Sequence, residues 1–127
     1  MTGSVVAGLA VSAHNNATST TATFQGVSVN TTLALPAGFT DADINSPGIA
    51  GSALYDGTGF IVSGGGADVW GTTDQFNYAS ESISGNATLI GRVGGQVNTN
   101  ANAKAGLMIR ASSAANSPQA TVNVSGV

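Results

Sequence analysis

Cysteine is absent from this chain of 127 residues, which excludes disulfide bonds, thiolate catalysis and cysteine-ligated zinc. Charged residues make up only 7% of the chain, against roughly 25% in ordinary soluble domains. The fixed cations are Arg92, Lys104 and Arg110, too few to neutralise the phosphates that nucleic-acid binding requires. No apolar run is long enough to span a bilayer, so no membrane insertion is expected.

Hydrophobic residues make up 42% of the chain, a share typical of a folded domain rather than a disordered segment. The polar residues are mostly Ser, Thr, Asn and Gly instead of Lys and Glu. Such a surface bonds water but repels neighbouring molecules weakly, which suits a protein that lies beside sugars or copies of itself. At this length we expect one domain with a single core.

Short apolar runs with an alternation of period two predict strands rather than helices. A turn at His14, Asn15 and Asn16 is expected to join the first two strands into a hairpin. One helical turn is expected at residues 40–44, with Thr40 as its cap. The predicted strands lie near residues 5–13, 20–29, 50–55, 59–63, 74–82, 87–93, 103–111 and 119–125.

Turn signals separate these runs. Asp56-Gly57 indicates a hairpin between two of the strands, and the glycines at 64–66 permit sharp backbone turns. Short strands of this number, joined by turns, describe an all-β fold, an antiparallel two-sheet sandwich or jelly roll.

Groups suited to catalysis are sparse. His14 stands in a predicted turn, and no G-x-S-x-G motif accompanies it. Glu81 has no acidic partner two residues away on its strand, although a glycosidase needs two acids across the sugar. The glycines at 64–66 lack the lysine of a phosphate-binding loop. We therefore expect a protein that is not an enzyme and has no cofactor.

Four residues are candidates for ligand binding: Trp70, Asp74, Lys104 and Arg110. The first interpretation of Trp70, the only tryptophan, is a core residue, and the second is a platform for a sugar ring. Lys104 and Arg110 lie about 20 Å apart along one predicted strand, too far to grip one small ligand. Their simplest interpretation is a solvent-exposed strand face, or long stems that cover apolar surface.

Two aspartates are candidate calcium ligands. Asp68 and Asp74 offer the oxygen ligands that calcium accepts, but no D-x-D-x-D-G series is present. The simpler interpretation of both residues is a turn role, in which the carboxylate bonds nearby backbone N–H groups.

The segment LPAGFTDADINSPGIAGSALYDGTGFIVSGGGADVWGTTDQFNY is followed by LIGRV and AKAGLMIRASSAANSPQATVNV. Together they resemble the opening half of a bacterial concanavalin A-like, laminin G-like jelly-roll module of secreted proteins. GLAVSAHNNATSTTATFQGVSV resembles the last two strands of the same module. Within a single domain of residues 1–127, residues 1–29 then correspond to the closing hairpin and residues 33–127 to the opening half.

The middle of that module is missing here, and the closing hairpin comes first. Two arrangements explain this order: a cut across two neighbouring tandem copies, or a permuted and shortened domain. The resemblance implies a two-sheet jelly roll and a non-catalytic, adhesive or carbohydrate-binding role in a secreted or cell-surface protein. It also makes the WGTTDQF segment and the AKAGLMIR strand the candidate binding regions.

The missing strands lead to a second hypothesis, a self-assembling structural subunit. Unpaired sheet edges accept a strand from another copy, and head-to-tail addition of this kind produces a filament. A hydrolase of the same architecture is a third hypothesis, which the absence of an acid pair disfavours.

Overall fold

The computed structural model describes residues 9–14, 17–25 and 34–125. The chain divides into two units, Met1–Thr31 and Thr32–Val127. The described residues of the first unit contain no strand, so the predicted hairpin is wrong for residues 9–13 and 20–25. Apolar side chains there, such as Leu9 and Phe24, are exposed, and no buried face fixes a register between the two runs. The rest of that hairpin, including Asn15 and Asn16, lies outside the described residues.

The second unit consists of strands and loops, and no helix occurs in its described residues 34–125. The fold class is all-β, as predicted. Nothing in the described part of the chain is a helix that could cross a membrane. Three two-stranded antiparallel sheets are present, β1–β4, β2–β3 and β5–β6. The strands are β1 (Phe39–Ile44), β2 (Ser52–Tyr55), β3 (Phe60–Ser63), β4 (Phe76–Glu81), β5 (Lys104–Arg110) and β6 (Gln119–Ser125).

The hairpin predicted at Asp56-Gly57 is confirmed as the connection between β2 and β3. Asp56 Oδ1 accepts the backbone N–H groups of Thr58 and Gly59, each at 2.8 Å. These bonds, with that of Thr58 foremost, lower the pKa of the Asp56 carboxyl. Gly57 has a φ of 95°, a conformation that glycine adopts without steric cost.

Residues 40–44 belong to β1, so the predicted helical turn capped by Thr40 is wrong. The Asp41 carboxylate accepts the N–H of Ala53 at 3.0 Å, and the Asp43 carboxylate accepts the N–H of Gly51 at 3.0 and 3.1 Å. These tertiary bonds require β1 to be extended, with both carboxylates on one face. They outweigh the weak local preference for a helical turn.

The predicted strands at 103–111 and 119–125 are confirmed as β5 and β6, paired from Lys104↔Ser125 to Arg110↔Gln119. The strand predicted at 87–93 is wrong, because residues 87–98 form no ladder. Gly91 instead lies against the side chain of Leu107, where an added Cβ would come within 3.0 Å of Cδ2. Glycine lowers strand propensity, and an alternating pattern without a paired partner does not make a strand.

The buried side chains of the second unit are both apolar and polar. Among the described residues, those buried as whole residues are the hydrophobic Ile44 and Val69 and the polar Asp74 and Ser117. Asp74 is therefore part of the interior, and its surroundings define the site described next.

Candidate functional site

The loop of residues 69–74, called here the Trp70 loop, is fixed at both ends. The N–H of Gln75 donates to the carbonyl of Asp68 at 2.8 Å and closes an isolated bridge across the loop. Val69 is buried at one end of the loop and Asp74 at the other. The middle of the loop is therefore held at the surface by two buried anchors.

Gly66 makes this closure sterically possible. It has a φ of 134°, and a Cβ added there would overlap the carbonyl oxygen of Gln75. The Gln75 side chain strengthens the closure, because Oε1 accepts the N–H of Ala67 at 3.1 Å and Nε2 donates to the carbonyl of Asn45 at 3.1 Å. The prediction of a sharp turn at the glycines 64–66 is confirmed at Gly66.

A buried ion pair joins the Trp70 loop to β5. Asp74 Oδ2 lies 3.2 Å from Arg110 Nη1, and these side chains are 1% and 2% exposed. Arg110 also donates from Nε to the carbonyl of Ser112 at 2.7 Å and from Nη2 to the carbonyl of Ala114. The N–H of Asp74 donates to the carbonyl of Ala115 at 3.0 Å. The Trp70 loop and the β5–β6 loop are thus bonded through both side chains and backbone.

Aromatic and amide side chains enclose this pair. The Phe76 ring centroid lies 5.2 Å from Arg110 Cζ, within the range of a cation–π contact. Gln119 Nε2 lies 3.5 Å from Asp74 Oδ2. The Tyr78 hydroxyl donates to the carbonyl of Met108 at 2.9 Å, and burial raises the pKa of this phenol although the charge of Arg110 opposes the change. The predicted ligand contacts Asp74 and Arg110 therefore lie inside the protein.

A second, partly exposed ion pair lies at the other end of the loop, between Lys104 and Asp68. The hydrogen bond from Lys104 is the main reason that the pKa of Asp68 lies below its ordinary value. Lys104 and Arg110 share one face of β5, and that face lies against the two acids that flank the Trp70 loop. The interpretation of Lys104 and Arg110 as a solvent-exposed face is therefore wrong for Arg110, which is buried.

The two calcium candidates are each bonded to a cation. Asp68 Oδ1 also accepts the N–H of Val69 at 2.7 Å, as expected of an aspartate in a turn. The Asp74 carboxylate bonds side chains instead. Among the residues described, no group of three or more His, Asp or Glu side chains is placed to hold a metal ion.

Trp70 is 75% exposed, so its interpretation as a core residue is wrong. Val69 takes the inward position, and Gly71, with a φ of 98°, turns the chain immediately afterwards. A Cβ at Gly71 would meet no atom within 4 Å, and Thr72 and Thr73 are exposed. An open indole beside two hydroxyl-bearing residues is suited to cover the apolar face of a sugar ring.

The acid and the histidine that could have served catalysis, Glu81 and His14, do not belong to this site. Glu81 ends β4 opposite Phe39, and His14 belongs to the first unit, where it lines a recess with residues 11–13 and 18–20. Sequence reasoning missed Gln75 and Gln119, which hold the Trp70 loop and its ion pair. No motif singles them out, because an isolated amide side chain acquires its role only from the residues that the fold places around it.

In comparisons with known proteins, no family model, curated protein or solved structure matches the chain. The fold and the site together define an all-β protein that exposes a tryptophan on a loop with buried ends.

Proposed function

We propose that the chain is a non-catalytic carbohydrate-binding or adhesive module of a secreted or surface protein, with the Trp70 loop as its binding surface. The observation that carries this proposal is the 75% exposure of Trp70 on a loop whose two ends are buried. An exposed indole gains free energy when a sugar ring covers it, and a loop that is already ordered loses little entropy on binding.

The ligand in this proposal is an uncharged glycan. An acidic sugar needs an available cation, but Lys104 and Arg110, at the two ends of the Trp70 loop, are bonded to Asp68 and Asp74. A neutral sugar needs hydrogen-bonding groups around a stacking surface, and the exposed Thr72 and Thr73 provide them.

Asp74 and Arg110 are positioning residues in this account. Their burial leaves no path for a ligand to their charged atoms, but their bonds fix the end of the loop that presents Trp70. Lys104 acts in the same way at the opposite end through Asp68.

The architecture proposed for the chain is a two-sheet jelly roll of the concanavalin A-like kind. Antiparallel pairing and the two unlike faces of β5–β6 support it, because a sandwich needs one apolar face per sheet. An experimental structure in which these sheets do not stack in two layers would reject this part of the proposal.

Titration calorimetry with cellohexaose, xylohexaose and an acidic oligogalacturonate tests the binding function. We expect saturable binding of at least one neutral oligosaccharide and none of the acidic one. Trp70→Ala should weaken that binding about tenfold or more, equivalent to ~1.4 kcal/mol, because the stacking surface is lost. Ile90→Ala is the matched control, since Ile90 is 86% exposed but lies outside the Trp70 loop.

Two outcomes would contradict the binding function. One is a folded protein that binds neither neutral oligosaccharide. The other is binding that Trp70→Ala leaves unchanged while circular dichroism shows an intact fold.

A second candidate function is a structural subunit that polymerises through sheet edges. Each strand of a two-stranded sheet has one edge that no strand in the described residues pairs with. Apolar side chains such as Ile49 and Ile61 are exposed as well. Electron microscopy of the purified protein distinguishes the candidates, because fibres would favour this function and their absence at high concentration would reject it.

A further inference from the structure

The outer edge of β6 (Gln119–Ser125) has the features of a strand that pairs with another chain. β6 bonds to β5 on one side, and among the described residues no strand pairs with its other side. Its seven residues, QATVNVS, include no charged residue and no proline. Proteins usually protect an exposed edge with lysine, proline or a bulge, and a strand without them accepts a partner readily.

The edges of β1, β2 and β5 are less suited to pairing with a second copy, and the edge of β3, although uncharged, offers only four residues. Two copies of β5 aligned antiparallel over their full length would place Lys104 opposite Arg110, which is unfavourable for like charges. β1 carries Asp41 and Asp43, so its self-pairing would collect four carboxylates on one short ladder. The N–H of Ala53 in β2 is already bonded to the Asp41 carboxylate. Charge therefore favours β6 over β1 and β5.

β6 is complementary to itself when two copies run antiparallel about a two-fold axis at Val122. This register pairs all seven residues, and each residue meets one of its own polarity. Val122 meets Val122, Ala120 meets Val124, Thr121 meets Asn123 and Gln119 meets Ser125. A shift of one residue along the strand would leave at least one residue unpaired.

The two faces of β6 are already differentiated within one copy. On the polar face, Gln119 reaches Asp74 and the Thr121 hydroxyl donates to the carbonyl of Leu107 at 3.1 Å. On the opposite face Val122 is 78% exposed, and Val124 and Ile109 are partly exposed. Pairing at the edge would place two such apolar strips side by side and remove part of their surface from water.

We infer that the partner of this edge is a second copy of the chain, and that two copies join through antiparallel β6–β6 pairing about Val122. The contact is isologous, so it closes as a dimer and does not extend into a filament. This dimer does not depend on the glycan-binding function, because Trp70 is not in β6.

Sedimentation velocity over a concentration series tests the dimer. We expect a monomer–dimer equilibrium in which Val122→Lys raises the dissociation constant at least tenfold, because two ammonium groups would face each other at the axis. Val97→Lys is the matched control: Val97 is 82% exposed, lies outside every strand and undergoes the same change of charge. It should leave the dissociation constant unchanged.

A crosslinking experiment tests the register. The chain has no cysteine, so Val122→Cys introduces one thiol per copy. Residues opposite each other in an antiparallel pair have Cα atoms roughly 4.5–5.5 Å apart, within the range that a disulfide spans. Mild oxidation should convert Val122→Cys, but not Val97→Cys, to a covalent dimer.

Three results would overturn this inference. They are monomers alone at the highest concentration, a dimer that Val122→Lys does not weaken, and large polymers in place of a dimer. Failure of Val122→Cys to crosslink, while its circular dichroism matches that of the unmodified chain, would reject the register about Val122. Loss of glycan binding in Trp70→Ala with the dimer intact would separate this inference from the proposed function.

Discussion

Two ion pairs between charged side chains hold the Trp70 loop in position, and the two pairs differ in how deeply they are buried. Asp74 and Arg110 are almost fully buried, whereas Lys104 and Asp68 are partly exposed. Removing one member of a buried pair leaves the other charge without a partner or water. Removing one member of an exposed pair leaves a charge that water solvates.

Asp74→Ala should therefore lower the free energy of unfolding by about 3–5 kcal/mol, since it leaves the buried Arg110 guanidinium without a counter-charge. The double variant Asp74→Ala, Arg110→Met should recover much of that loss, because it removes both buried charges. Chemical denaturation monitored by circular dichroism measures all three proteins. An Asp74→Ala variant as stable as the unmodified chain would show that the pair does not anchor the loop.

The ion pair of Asp68 predicts how the stability of the fold depends on pH. The pKa of Asp68 is lowered in the folded state by the hydrogen bond from Lys104, relative to an ordinary value of 3.8. The stability that this carboxylate contributes is thus present above pH 3.8 and is lost as the pH falls through the lowered folded pKa. Thermal unfolding of Asp68→Asn and the unmodified chain should differ at neutral pH and converge below pH 3.8. A difference that persists unchanged in acid would contradict the ion pair.

The exposure of Trp70 could not be predicted from the residues next to it in the sequence. Val69 and Trp70 are adjacent apolar residues before a glycine, and only one of them faces inward. Size and rarity favoured Trp70 as the core residue, but the turn at Gly71 and the bridge between Asp68 and Gln75 place Val69 inside. Those contacts come from elsewhere in the fold and have no local signal.

At the scale of the elements, the turn before the Trp70 loop requires a residue without a Cβ at position 66. Gly66→Ala should lower the free energy of unfolding by about 1–3 kcal/mol or more, because φ is 134° and the new Cβ would overlap Gln75. Gly48→Ala is the control, since a Cβ there meets nothing within 4 Å. Thermal unfolding compares the two variants, and equal stability would mean that the closure at Gly66 is not required.

Local patterns predicted the elements that consist of alternating residues beside a clear turn signal. Strands β2 and β3 around Asp56-Gly57 are examples, and so are β5 and β6. The predictions for residues 40–44 and 87–93 were wrong because contacts with other parts of the chain, not the local pattern, decide the conformation of both segments. The first is extended because Asp41 accepts the N–H of Ala53 in β2 and Asp43 accepts the N–H of Gly51 just before it. The second is irregular because no strand in the described residues pairs with it.

In the second unit as a whole, the two faces of the β5–β6 sheet serve different purposes in our account. The polar face holds the Trp70 loop through Lys104 and Arg110. The opposite face carries the exposed Val122, and we infer that a second copy binds along the edge of β6 with which no strand in the described residues pairs. A dimer of this kind would carry two Trp70 loops, and two linked sites bind a surface with repeated sugars more tightly than one.

Fluorescence titration of the only tryptophan tests the central claim most directly, because any emission change from indole burial must come from Trp70. Adding cellohexaose or xylohexaose should shift the emission of this exposed indole to shorter wavelength with a saturable dependence on concentration. The acidic oligogalacturonate should leave the emission unchanged. A folded protein whose emission does not respond to either neutral oligosaccharide would contradict the account.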